Sequence, residues 1–513
     1  MLRFIFTFFC LLLLIFSSCR KDFDTVLSQG TLTFSQDTVL LNRVFSNISS
    51  STQKFKVYNH SNDNITIPKI ALANGENSFY RLNVDGIPGK TFEKINILAK
   101  DSIFIFVEAT IDFDKITDND FFYRDEVVFY SESEEQKVHL EALVLDVNLI
   151  RPDRTQNPDG SFSYETIVLG KDSDGELVQI KGAMLSGNTT FSGDKPYLIY
   201  DYLGVPENAS LTLEPGATLY FHNNSGIIVN KNAKIISNGT LGAPVLLEDD
   251  RLEPEFEDTP GQWGTVWIRA GSKGNKLNYT TIKNSSLGIL ADSMVINQPT
   301  LTLKNTQIYN SAGFGVLGRY AHIYGENVVI GNSGRSSFAG TQGGSYNFVH
   351  STFANYFSAG FREFPTVLLN NFLTITKDNT EATVAYPLAA ANFKNCIIAG
   401  SQDVELLLER VEEADFNYSF LNTAFQFDTN NNSLLNNPLY DFTNTSEYKG
   451  VLLNPKWDFK NRSNNEFIIG EASEVINLAD KNAALAVPAD ILGINRIIAP
   501  DMGAYQHIIF EEE

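Results

Sequence analysis

A spacing limits the fold of this 513-residue chain more than any other feature. An apolar or aromatic residue stands two positions before an asparagine at Ile282/Asn284, Ile308/Asn310, Ile330/Asn332 and Phe353/Asn355, and the asparagines are 26, 22 and 23 residues apart. The same interval continues to Ile375 with Lys377, Ile398 with Gly400 and Phe420 with Asn422. Between these points lie strands of a few residues joined by tight corners, as in Leu211–Phe221 with its Pro215-Gly216 turn. Strands this brief cannot bury a face alone and must stack on copies of themselves. A coil of about 22 residues is the rung of a right-handed parallel β-helix, in which each rung contributes one short strand to each of three sheets. Asparagines stacked at one corner can bond side chain to backbone between rungs, so that no turn group is buried without a partner. Asn284, Asn310, Asn332, Asn355 and Asn422 are therefore expected to form an internal ladder. A row of ligand contacts is the other reading. Lys377 is then either a break in the ladder or a base.

Before the repeat, residues 31–147 follow a different pattern. Alternating runs such as Lys54–Tyr58, Ile65–Ile67, Ser102–Val107 and Glu126–Tyr130 are separated by polar and glycine-containing turns, which predicts a β-sandwich. The order of these runs, with Val57-Tyr58-Asn59, Ile65–Leu72, Phe79–Leu82 and Val138–Val144 in sequence, resembles immunoglobulin-like domains of the ASPM/SPD-2/Hydin kind. That resemblance implies a spacer or docking module. The chain is thus expected to be all-β, with an immunoglobulin-like sandwich, a β-helix over 148–437, and late rungs with a C-terminal cap over 438–513 that shields the solenoid's open end.

The N-terminus carries an address. Arg3 precedes an apolar run, Phe4–Phe16, that is interrupted only by Thr7 and is too short to span a bilayer. Ile15-Phe16-Ser17-Ser18-Cys19 resembles a bacterial lipobox, which implies a signal peptide over 1–18 and acyl chains such as palmitate on Cys19. Each buried methylene adds about 0.8 kcal/mol of membrane affinity. Residues 19–30 then form a tether. Its Arg20–Asp24 stretch resembles the tags that send Bacteroidetes lipoproteins to the exterior face of the outer membrane. A net charge of −22 disfavours nucleic acid as a partner. Of three cysteines, Cys10 leaves with the signal and Cys19 is acylated, so Cys396 has no disulfide partner.

Leu211–Phe221, Pro260–Gly264 with Ala270-Gly271-Ser272, and the closing Asp490-Ile491-Leu492-Gly493 and Pro500-Asp501-Met502-Gly503-Ala504-Tyr505 together resemble the uncharacterised β-helix lipoproteins of Bacteroidetes. The likeness spans nearly the whole chain and implies fold more strongly than function. Gln506 departs from the acidic residue that often follows the closing Gly-Ala-Tyr.

A polysaccharide lyase needs a cation at the uronate carboxylate, usually Ca²⁺, and a basic residue beside it. The one local source of ligands is the loop Glu248–Asp258, with Asp249 and Asp250 as candidate metal ligands, though its carboxylates fall on one turn instead of recurring at rung spacing. No other cofactor is implied. A glycoside hydrolase needs two carboxylates roughly 5 to 9.5 Å apart; Asp292, Glu326, Glu363 and Asp378 are available, in different rung phases. Binding a glycan needs only aromatic faces and polar groups on a solenoid surface. Tyr356, Phe361, Arg362 and Trp263 are the candidates, with Tyr346, Phe357, Phe364 and Trp267 nearby and alternation turning about half of them inward. The leading expectation is a non-catalytic binding or structural role toward polysaccharide or cell-surface glycan. A calcium-dependent lyase or hydrolase, and an adhesin, are the alternatives.

Overall fold

The computed structural model describes residues 24–116, 121–294, 298–377 and 380–511. Cys19 and the preceding signal therefore lie outside the described residues, as does Asp378. The chain divides into two units between Asp146 and Val147.

The first unit is a β-sandwich. One sheet pairs Val26–Leu27, Ile65–Leu72, Phe122–Tyr130, Glu135–Leu145 and Thr38–Phe45, with Thr91–Ile97 on the other edge of Ile65–Leu72. The facing sheet runs Thr33–Phe34, Gln53–Tyr58, Ser102–Ala109, Tyr80–Val84 and Ile87–Gly89. Alternation sends Val57, Ile67, Tyr80, Ile105, Val127 and Leu140 into a fully buried core. The sandwich begins earlier than the expected residue 31. Val26–Leu27 already pairs in parallel with Ile65–Thr66, so part of the expected tether is a strand.

The second unit is a right-handed parallel β-helix of three sheets, called here A, B and C. Among the described residues, sheet A has eleven strands from Asn148–Ile150 to Leu452–Leu453, and sheets B and C have ten each. The chain visits them in the order A, B, C. One rung, for example, comprises Thr280–Lys283, Ile289–Asp292 and Leu301–Lys304. Register along sheet A aligns Ile282, Ile308, Ile330, Phe353 and Ile398 in one inward column. All of them are fully buried. Sheet C stacks Phe348, Phe393, Phe420 and Tyr448, with successive ring centroids 5.5, 5.2 and 5.5 Å apart. These are offset aromatic contacts that add to the area they bury.

The corner from sheet C to sheet A is made by single residues in the left-handed conformation, Tyr279, Asn305, Asn327, His350, Asn395 and Asn422. Asparagine accepts this conformation more readily than most residues. The next position inward is a hydroxyl column in which Thr280, Thr306, Ser351 and Thr423 each donate to the carbonyl two residues back. Cys396 occupies the same column and its thiol donates to Lys394 O at 3.3 Å. It takes the place of a buried hydroxyl, and burial raises its pKa to about 12, which leaves it unreactive.

The C-terminal region does two jobs where one was expected. Residues 426–447, with Tyr440, Phe427, Phe442 and Leu439, close the end of the core. Residues 455–511 instead turn back along the outer face of sheet A. Phe467, Ile491, Ala504 and Tyr505 pack on Tyr309, Val329 and Ala354, while Ile469, Val475 and Met502 pack on Ile397, Ala399 and Ala424. The closing sequence motif forms the clip of this strap. Asp490 accepts from the amides of Leu492, Ile494 and Gln506, and Asp501 from those of Asn477 and His507. Arg496 donates to Gly503 O and Ala504 O. Gly503 sits at φ 93°, where an added Cβ would lie 2.7 Å from both Thr352 Oγ1 and Ile397 Cδ1. Gly503→Ala is expected to destabilise the second unit by about 2–3 kcal/mol and to expose the strap to protease. A urea midpoint and cleavage pattern equal to the parent's would refute this contact.

Candidate functional site

Alternation within a rung leaves each sheet one outward face, and the three faces are used differently. Sheet A's is covered by the strap from Gln307–Ser311 onward. Sheet C's is polar, with Asn392 Nδ2 donating to Asn347 Oδ1 and Ser419 Oγ to Asn392 Oδ1, both at 2.7 Å, and with Lys304 paired to Glu326 at 2.6 Å. Sheet B carries an apolar row aligned by register, Ile228, Trp267, Leu290, Leu317, Ala339, Leu368 and Leu407, of which Trp267, Leu290, Leu317 and Leu407 are half-buried and Ile228, Ala339 and Leu368 are buried. Beside it runs a polar row that includes Asn230, Arg269, Asp292, Arg319 and Thr341.

The two rows meet in a cavity of about 320 Å³ lined by Glu207, Asn230, Lys231, Trp267, Arg269, Ala270 and Asp292. Val266 and Ile268 point into the core, which turns Trp267 and Arg269 outward. Trp267 Nε1–H donates to Asp292 Oδ2 at 2.7 Å, and Arg319 grips the same carboxylate through two nitrogens at 2.6 and 2.7 Å. The indole is thereby fixed in orientation and stays half-buried. Arg269 donates to Asn230 Oδ1 at 2.6 Å and to the carbonyls of Val168 and Leu169, and its guanidinium lies 5.6 Å from the Trp267 ring. Chemically the site offers one oriented aromatic, two cations, an amide and two carboxylates, Asp292 and the exposed Glu207. The Asp292 carboxylate is already bound by an arginine and an indole N–H, so neither of its oxygens is free to attack a substrate.

The sequence-derived candidates mostly serve the fold. Trp263 is fully buried, stacked on Phe221 at 4.3 Å with Nε1–H donating to Lys283 O. Tyr356 packs against Phe459 and Phe467 of the strap beneath Arg462. Arg362 forms a closed pair with Glu405, their side chains 3% and 0% exposed. Glu405 also accepts from Thr366 and from the Gln402 amide. These three residues are therefore corrected from ligand contacts to core and corner supports. Phe361 alone of the four is exposed, on the loop between sheets A and B and away from any aligned row.

The asparagines also divide. Asn284, Asn310, Asn332 and Asn355 share one register column at the end of sheet A, and Asn310 Nδ2 reaches Asn284 Oδ1 at 3.3 Å. Asn355 bonds side chain to backbone across rungs as a ladder requires, donating to Ser333 O and Arg335 O and accepting from Ser333 N, and Asn332 Oδ1 accepts from Tyr356 N of the next rung. Other bonds reach outward, Asn284 to Asp249 and to the backbone of residues 256–257, Asn310 to Asp258, and Asn332 to Arg462 O and Asn465 of the strap. Asn422 is corrected to the other column, the left-handed corner before sheet A, where its amide donates to Leu478 O. Lys377 belongs to neither. It ends Phe372–Lys377, which pairs with Thr380–Ala385 as a hairpin inserted into the rung.

Asp249 and Asp250 diverge as well. Asp249 is buried under the loop and accepts from Asn284, whereas Asp250 lies 2.7 Å from His222 Nδ1 and raises that imidazole's pKa. No group of three metal-ligating side chains occurs among the described residues. Asp292, Glu326 and Glu363 lie on sheet B, sheet C and the A–B loop respectively, so they do not form a facing carboxylate pair.

By fold, the chain is an immunoglobulin-like sandwich followed by a right-handed parallel β-helix. It matches no known family and no curated protein. Among solved structures it is similar to the catalytic domain of a GH87 alpha-1,3-glucanase in complex with tetrasaccharides, at 11% identity over 72% of this chain and 88% of that one, TM-score 0.16. It is also similar to the periplasmic chaperone SfaE, at 9% identity over 29% and 83%, TM-score 0.16. A family 123 glycoside hydrolase from Clostridium perfringens aligns at 8% identity and TM-score 0.16 over 28% of this chain, which spans 43% of that enzyme.

Two outcomes check the supporting contacts. Glu405→Gln strands Arg362 in the interior and is expected to cost about 3 kcal/mol or more in denaturant unfolding; a loss below about 1 kcal/mol would contradict the buried pair. Burial also lifts Asp249 from the ordinary 3.8 to about 6. Between those values the folded chain keeps a proton that the unfolded chain has released, so this residue's contribution falls as pH rises through the window. Asp249→Asn is expected to flatten the pH dependence of thermal stability between about pH 4 and pH 6 and to raise the midpoint at neutral pH. An unchanged slope would refute the assignment.

Proposed function

We propose that this protein is a lipid-anchored cell-envelope protein that binds glycan without cleaving it, through the outward face of sheet B. The observation that carries the reading is the oriented Trp267 ring in a shallow cavity, beside a polar row and in line with an apolar row that runs along the solenoid. Sugar rings present flat C–H faces to such aromatics and hydroxyls to flanking polar groups. Repeated rungs offer successive subsites to a chain of sugars. A binding role rather than a catalytic one is supported by the tied carboxylate at Asp292. The sequence at Cys19 supports the anchor and the outward-facing address, and no helix among the described residues is long and apolar enough to cross a membrane.

Trp267→Ala is expected to weaken binding on a glycan array and in calorimetry by at least about tenfold, or roughly 1.4 kcal/mol, with the melting temperature little changed. Binding that survives this substitution undiminished would move the site elsewhere. Release of unsaturated sugars from uronate polymers, abolished by a chelator, would replace the binding reading with a calcium-dependent lyase.

A further inference from the structure

Two cations, Arg269 and Lys231, line the sheet B cavity. Arg319, next to the same cavity, is paired with Asp292. Among the described residues, Arg269 and Lys231 lie within ion-pair distance of no carboxylate, and both line the cavity beside Trp267. Arg269 is held in place by neutral acceptors only, Asn230 Oδ1 and the carbonyls of Val168 and Leu169. Asn230 is itself buried and fixed by its Nδ2–H bond to Val205 O at 3.0 Å. Lys231 is steered too. Gly271, at φ 83°, lacks the side chain that would block its stem, since an added Cβ would lie 2.8 Å from Lys231 Cγ. A guanidinium oriented by neutral groups keeps its charge for an incoming anion, and with both Nη1 hydrogens and one Nη2 hydrogen bonded, Nε–H and the second Nη2–H are the donors left for a carboxylate.

We infer that the ligand of this face is an acidic sugar, a uronate whose carboxylate is received by Arg269 and Lys231 while its ring lies against Trp267. This rests on the glycan-binding reading above and narrows it to one chemical class. Asp292 opposes such a ligand little, because Arg319 and the indole N–H already occupy its oxygens, while the exposed Glu207 at the cavity offsets part of the charge of Arg269 and Lys231. The cationic pocket also gives a chain of strongly negative net charge a local means of attracting a negative polymer that the rest of its surface repels.

The test uses the full chain and calorimetry against polygalacturonate, alginate and hyaluronan, each beside its carboxyl-reduced counterpart. At least one uronate polymer is expected to bind about tenfold or more tightly than its reduced form, with the preference shrinking as salt is raised. Lys231→Ala, which removes only the packing of the Lys231 stem on Gly271 and no side-chain ion pair, is expected to cost about three- to tenfold on the uronate form and less than about twofold on the reduced form. Arg269→Lys should reduce the preference while keeping a positive charge there. Equal affinity for uronate and reduced polymers would overturn this inference and leave the glycan reading standing. Absence of binding to every polymer in both arms would overturn both.

Discussion

Everything in the second unit depends on stacking between rungs in register. No rung has a core of its own. Ile282, Ile308, Ile330, Phe353 and Ile398 are buried only because each lies between the same position of the rung before and after. Burial of each such side chain contributes on the order of 1.5–3 kcal/mol, and a one-residue slip in any strand would turn that column out to solvent. Register is therefore the quantity that selection of side chains must defend, and the left-handed corner before sheet A resets it at every turn of the coil.

The asparagine columns follow from that requirement and then exceed it. A left-handed corner favours asparagine for steric reasons, but the amide it carries is free to bond beyond its own rung. Asn332, Asn395 and Asn422 spend their amides on the strap, through Asn465 and Arg462 O, Asp480 O and Leu478 O. Outward residues of sheet A are kept apolar or small to receive it, as at Gly331, where an added Cβ would meet Phe467 at 2.3 Å. One face is thus consumed in part by the chain's own C-terminus and another satisfies itself with amide and ion-pair ladders. The division leaves sheet B as the face on which Trp267, Leu290, Leu317 and the two cations of the cavity stay accessible.

The period and the phase of four rungs were legible from residues 282–355 because those rungs carry only short turns. Past Asn355 the count slips for a physical reason. The loop after Asn355 and the Phe372–Ala385 hairpin lengthen one rung, so a steady step of about 22 residues landed on Lys377, outside the coil, and on Asn422, in the neighbouring column. The site was readable in part. Val266-Trp267-Ile268-Arg269 alternates in a way that turns Trp267 and Arg269 outward together, whereas the burial of Trp263 rests on its partner Phe221, 42 residues away. The Arg362–Glu405 pair and the return of residues 455–511 over sheet A rest on contacts far apart in sequence, which local periodicity does not encode.

The decisive measurement is a hydrogen-exchange footprint of the full chain with and without a bound uronate polymer. New protection confined to the sheet B segments around 226–231, 266–271, 289–292 and 316–319 is the predicted result. Protection appearing instead on the strap over sheet A or in the sandwich, with those segments unchanged, would contradict the account.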